Sequence, residues 1–119
     1  MLWTRSTIAP YGSGLAGAGA QNVLQSFTGT VRLIDGTISF DYEESAAATL
    51  QATVFVTMAG PTNVTIMQAV VTAQANVLNG YLIPLRRRFP IGPISAIGVS
   101  LTGAATYKAA FFGEIETYS

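Results

Sequence analysis

The stretch that decides the fold is TLQATVFVTM, residues 49–58. Leu50, Ala52, Val54, Val56 and Met58 fall on one parity; Thr49, Gln51, Thr53 and Thr57 fall on the other. A strand sends alternate side chains to opposite faces, so this run predicts a half-buried antiparallel strand. Phe55 is the apolar exception on the polar side, and AGPTN ends the run with glycine and proline.

The next segment, VTIMQAVVTAQANVL (64–78), changes phase. Val64 and Ile66 share one parity, while Met67, Ala69, Val71 and Ala73 continue on the other. A β-bulge near Ile66–Met67 accounts for the slip. A helix is the rival, because Ile66, Val70, Ala73 and Val77 match its spacing; the valine and threonine content favours the strand. Asn79-Gly80 then predicts a turn into YLIPL, where Pro84 marks an edge position or a bulge. RRRFPIGP reads as a loop. SAIGVSLT puts Ile97, Val99 and Leu101 on one face, and Gly103 marks a turn. In ATYKAAFFGEIETY, Tyr107, Ala109, Phe111 and Ile115 point inward, with Lys108, Glu114 and Glu116 outward.

On the N-terminal side, TVRLIDGTISFDY (30–42) is two short runs. Val31 and Leu33 share one parity, then Ile38, Phe40 and Tyr42 the other. Asp35-Gly36 between them is a hairpin signal, so two short strands around a tight turn are expected. In all, about seven or eight short strands with turn signals between them predict an all-β antiparallel sandwich or jelly roll.

Residues 1–22 differ from the rest. YGSGLAGAGAQN is rich in glycine and alanine and has little to bury. Leu2, Trp3, Ile8 and Tyr11 are the anchors it offers. The expected organisation is an extended arm over 1–22, laid on a neighbouring subunit, followed by one β-sandwich domain over 23–119; the arm packing across its own domain is the alternative. No secretory leader is expected, because Arg5, Ser6, Thr7, Pro10 and Gly12 interrupt any apolar run. No run approaches the ~18 apolar residues of a membrane helix, and no membrane partner is expected.

Composition restricts the chemistry. The 119 residues include no histidine, no cysteine, six basic and six acidic side chains. Histidine is the commonest general base, and thiolates are the commonest soft metal ligands. Net zero charge argues against nucleic acid, which selects a basic footprint. A nucleophile would need Lys108 as base, on an outward strand position. Asp41 and Glu43 share one strand face about 7 Å apart, which reads as a solvated face. Asp41, Glu43 and Glu44 could meet a calcium ion, but their spacing matches no loop motif. GSGLAG (12–17) has the letters of a dinucleotide fingerprint without the strand before it or the helix after it. The sequon Asn63-Val64-Thr65 has no secretory context. No catalytic residue, metal or cofactor is therefore assigned.

Arg86, Arg87 and Arg88 hold half of the positive charge, beside Phe89, Pro90, Ile91 and Pro93. An arginine cluster next to a rigid apolar knob has the character of an interface anchor. The candidate interface residues are thus Leu2, Trp3, Ile8, Tyr11, Arg86, Arg87, Arg88, Phe89 and Ile91.

PYGSGLAGAGAQN (10–22), VRLIDGTISFDY (31–42) and ISAIGVSLTGAATYKAAFFGEIETY (94–118) resemble the capsid decoration, or cement, proteins of tailed bacteriophages. The resemblance implies a virion location on the outer capsid surface, at three-fold or quasi-three-fold positions, often as a trimer. It implies the major capsid protein or other virion subunits as partners, and carries over no functional residue. A small tail or head-fibre component fits nearly as well. Outside virions, a sugar-binding β-sandwich would use Trp3, Tyr11, Tyr81, Tyr107 and Tyr118, and an enzyme would have carboxylates alone.

Overall fold

A computed structural model describes residues 2–12, 22–58, 62–85, 91–102 and 106–118; for 8–12, 22 and 106 it describes the backbone alone. Eight strands are present among them: β1 (Trp3–Gly12), β2 (Asn22–Ser26), β3 (Thr30–Glu43), β4 (Ala48–Met58), β5 (Thr62–Ala73), β6 (Asn79–Pro84), β7 (Ile94–Thr102) and β8 (Thr106–Tyr118). Every paired strand is antiparallel to its neighbours. Sheet A has the order β1-β8-β3-β6, and sheet B the order β2-β7-β4-β5.

This order has a simple origin. Strand β4 pairs with β5, β3 with β6, β2 with β7 and β1 with β8. The chain is one long antiparallel ribbon, folded back between β4 and β5. Two further pairings, β3 with β8 and β4 with β7, roll the ribbon into two facing sheets. That is a jelly roll.

The strand over 49–58 behaves as its alternation predicts. Leu50, Ala52, Val54 and Val56 are buried, and Thr49 and Gln51 are exposed. Phe55 lies on the outer face yet is buried, between Gly98 of β7 and Thr65 of β5. Residues 62–73 form a strand rather than a helix. Val54 pairs with Met67 and Phe55 with Thr65, which leaves Ile66 as the extra residue of a bulge. The bulge returns Val64 and Met67 to the same face despite their opposite parity.

Asp35-Gly36 does not make a hairpin. Strand β3 runs unbroken for 14 residues through it. Leu33 pairs with Ile115 and Asp35 with Glu114, so Ile34 is the extra residue of a second bulge. A tight hairpin there needs left-handed backbone, and Gly36 does not adopt it. The bulge carries Val31 and Leu33 onto the same face as Ile38, Phe40 and Tyr42, all of them buried. The Asp35 carboxylate accepts from the Gly36 N–H at 2.7 Å, holding the kink.

Asn79-Gly80 is likewise no turn. Both residues already belong to β6 and pair with Tyr42 and Asp41. The chain reverses earlier, at Asn76, whose φ is 56°; asparagine tolerates that region better than most residues. Pro84 does sit on an edge strand, as its missing N–H requires.

The N-terminal segment is partly absorbed into the sandwich. Trp3–Gly12 pairs along β8 as an edge strand of sheet A. The glycine-rich residues 13–21 lie outside the described residues.

Between the sheets lies one apolar core. Sheet A contributes Val31, Leu33, Ile38, Phe40, Tyr107 and Phe111 among others; sheet B contributes Leu50, Val54, Val56, Ile97, Val99 and Leu101. Burying each such side chain contributes about 1.5–3 kcal/mol. Phe40 and Tyr107 sit diagonally on adjacent strands with ring centroids 5.8 Å apart. Two tyrosines tie the sheets together: the Tyr42 hydroxyl donates to the Thr72 carbonyl at 3.0 Å, and the Tyr107 hydroxyl to that of Val99 at 3.4 Å.

Candidate functional site

The rolled ribbon divides the charges unequally. Arg5 lies in β1; Arg32, Asp35, Asp41 and Glu43 in β3; Lys108, Glu114 and Glu116 in β8. All of these strands belong to sheet A. Strands β2, β4, β5 and β7, which make up sheet B, carry no charged residue. The molecule has one charged sheet and one neutral sheet.

On sheet A the charges largely engage one another. Arg5, Glu116 and Arg32 lie in one row across β1, β8 and β3. Glu116 Oε1 accepts from Nε and Nη2 of Arg32, both at 2.7 Å. The same guanidinium lies 3.9 Å above the centre of the Trp3 ring, a favourable cation–π placement. Trp3 in turn packs on Tyr118, with ring centroids 5.0 Å apart. Arg5 reaches Glu114 at 3.6 Å. Towards the other end of the sheet, Asp41 stands opposite Lys108, and opposite charges across a ladder attract.

The outer face of sheet B is built differently. Its β4–β5 half presents Thr49, Gln51, Thr65, Gln68, Val70 and Thr72 to solvent. Its β7 half is closed, since Ala96, Gly98 and Ser100 are buried along with Phe55. Such a face has almost no charge to desolvate on being covered. Charge depletion is the compositional mark of interface centres.

The interface residues expected from the sequence fall in different places. Leu2 precedes β1 and is 75% exposed. Trp3 is half-buried under Arg32 and beside Tyr118. The backbones of Ile8 and Tyr11 pair with Gly113 and Phe111; their side chains lie outside the described residues. Arg86, Arg87, Arg88 and Phe89 also lie outside them. The chain on either side of them, here the two stems, is described. Leu85 N–H donates to the Gly36 carbonyl at 2.7 Å, and Ile91 exchanges two hydrogen bonds with Leu33, at 2.7 and 3.0 Å. The stems thus grip β3 on either side of its bulge. Ile91 is half-buried and packs against the core.

Asp41, Glu43 and Glu44 do not come together as a cation site. Among the described residues no three acidic side chains do. Two features escaped the sequence reading. One is the Trp3–Arg32–Glu116–Tyr118 cluster, joined across 116 positions of chain. The other is the neutrality of sheet B, which becomes visible only when strands are assigned to sheets.

No protein-family model matches the chain, and no curated protein matches it in sequence. Among solved structures, a chain in the structure of infectious bursal disease virus Gx strain is similar over 97% of this chain and 32% of its own, with 17% identity and a TM-score of 0.47. A chain in the structure of the Gt strain is similar over 98% of this chain and 33% of its own, with 18% identity and a TM-score of 0.44. This chain spans about a third of the length of those two.

Proposed function

We propose that the chain is a non-enzymatic structural protein of a virion that packs against neighbouring shell subunits through its uncharged sheet. The observation supporting this reading is a jelly roll whose charges are confined to one of its two sheets. The jelly roll is a recurrent architecture of viral capsid domains. A neutral sheet of threonine, glutamine and valine is covered at a smaller desolvation cost than a charged one. Reaction chemistry finds little to start from. The chain has no histidine or cysteine, and Glu116 and Glu114 face arginines.

The finer role we propose is decoration, or cementing, of a bacteriophage capsid. Leu2, Trp3, Ile8 and Tyr11 of the N-terminal segment and Arg86–Phe89 with Ile91 are the further contacts. Binding the assembled shell in preference to its free subunits stabilises the shell by mass action. A tail or head-fibre component would use the same neutral face. Jelly rolls also serve as lectins, but the candidate aromatics do not gather in one platform, since Tyr81 and Tyr118 are exposed on different strands, β6 and β8. Tyr107 is buried, and Trp3 and Tyr118 pack on one another. The test is mass spectrometry of purified particles from the source of this chain. Stoichiometric recovery with the shell protein supports the proposal, and its absence from intact particles contradicts it.

A further inference from the structure

A sandwich built from two open sheets has four edge strands, here β1, β6, β2 and β5. An unguarded edge offers its backbone N–H and C=O groups to another chain. Three of the four are guarded. Strand β1 carries Arg5 and Pro10. Strand β6 has six residues and ends in Pro84. Strand β2 has five residues and a register break between Val23 and Gln25. Strand β5 has 12 residues and neither a charge nor a proline. Its only irregularity, the bulge at Ile66, leaves Met67–Ala73 as one regular run.

We infer that Met67–Ala73 pairs antiparallel with the same segment of a second copy, about a two-fold axis at Val70. The sequence of this run is matched to itself in that register. Val70, 67% exposed, meets its own counterpart. Gln68 meets Thr72 on the outer face, polar against polar. Ala69 meets Val71 and Met67 meets Ala73 on the inner face, apolar against apolar. An axis one residue away, at Val71, would keep the faces matched but set Val70 against Thr72, apolar against polar. Because the run has no charge, two copies bring no like charges together. The Thr72 carbonyl already accepts from Tyr42, but a carbonyl has a second lone pair to offer. The two neutral sheets would join into one continuous sheet of eight strands. A contact of this length falls below the roughly 1,000 Å² of a stable dimer, so it is concentration-dependent alone and gains strength inside an assembly. This contact goes beyond the proposed function and stands without it.

The absence of cysteine makes disulfide trapping a clean test. Directly opposed strand residues hold their Cβ atoms about 4.5–5.5 Å apart, close to disulfide reach. Val70→Cys is expected to give a covalent dimer under mild oxidation. Gln68→Cys alone is expected to give little, while a mixture of Gln68→Cys and Thr72→Cys gives the mixed dimer. In sedimentation equilibrium, Val70→Lys is expected to weaken association at least tenfold and Ser39→Lys, on the outer face of sheet A, to leave it unchanged. Circular dichroism confirms that each variant is folded. Failure of Val70→Cys to cross-link, or equal cross-linking of Gln68→Cys alone, overturns the pairing. A dimer trapped at Val70 in a chain absent from particles would leave the pairing intact and remove the virion reading.

Discussion

Gly36 of β3 stands directly opposite Gly113 of β8, and neither position has room for a side chain. A Cβ on Gly113 would fall on the Asp35 carbonyl oxygen and 2.5 Å from the Gly36 Cα. A Cβ on Gly36 would lie 2.5 Å from the ring of buried Phe111. The bulge at Ile34 draws the two backbones together here. Gly113→Ala meets backbone and is expected to cost about 2–3 kcal/mol; Gly36→Ala meets a ring that can shift, and is expected to cost about 1–2 kcal/mol. Gly80→Ala, whose nearest contact would be 3.6 Å away, is expected to stay within about 0.5 kcal/mol. Urea midpoints at unchanged slope measure all three.

The two arginine–glutamate contacts on sheet A differ in kind. Arg32 and Glu116 are 30% and 14% exposed at their side chains, and their contact is at 2.7 Å. Arg5 and Glu114 are 58% and 42% exposed, and theirs is 3.6 Å. Glu116→Ala also strands the Arg32 guanidinium over Trp3, and is expected to cost about 1–3 kcal/mol. Glu114→Ala is expected to cost less than about 0.5 kcal/mol. Thermal unfolding of both variants at low and high salt checks this, with the effect of Glu114→Ala vanishing at high salt.

Burial, and then the neighbouring Tyr81, raise the Tyr42 hydroxyl above the usual tyrosine range. The folded state therefore holds this proton more tightly than the unfolded chain does. The stability it contributes is complete below the unfolded value of about 10 and is lost as pH rises through the folded value. Stability is expected to fall above about pH 10, and less steeply in Tyr42→Phe. That variant also loses the bond to Thr72, at about 1 kcal/mol near neutrality. Denaturation midpoints from pH 8 to 11 provide the check.

Two bulges break the hydrophobic phase of the strands, and one of them was legible in the sequence. At Ile66 the slip predicts a bulge, and a bulge is there. At Asp35-Gly36 a favoured turn pair stands at the break, so local chemistry predicts a hairpin. Tertiary structure decides otherwise, because β3 must run unbroken to pair with β8 on one side and β6 on the other. Alternation in β4, β7 and β8 gave the core directly. Strand order could not be read, since pairings such as Trp3 with Tyr118 join the two ends of the chain. Without that order, the gathering of charge on one sheet stayed hidden. The Arg86–Phe89 segment was legible only as composition.

The bulge reading has its own test. Without Ile66, Val64, Thr65 and Met67 alternate regularly against β4. Deleting Ile66 is therefore expected to retain the fold at a cost of about 1–2 kcal/mol for its lost packing. Deleting Val71 instead moves every residue beyond it to the wrong face, and is expected to prevent cooperative unfolding. Far-ultraviolet circular dichroism and thermal melts distinguish the two deletions.

The neutral face of sheet B is the surface proposed to be covered in the assembled particle. Co-sedimentation with shells of the major capsid protein from the same source tests it most directly. Wild-type chain and Ser39→Lys, on the outer face of sheet A, are predicted to sediment with the shells. Thr49→Lys, placing one charge on sheet B, is predicted to bind at least tenfold more weakly. Wild-type chain left in the supernatant, or Thr49→Lys binding as well as wild type, would contradict the account.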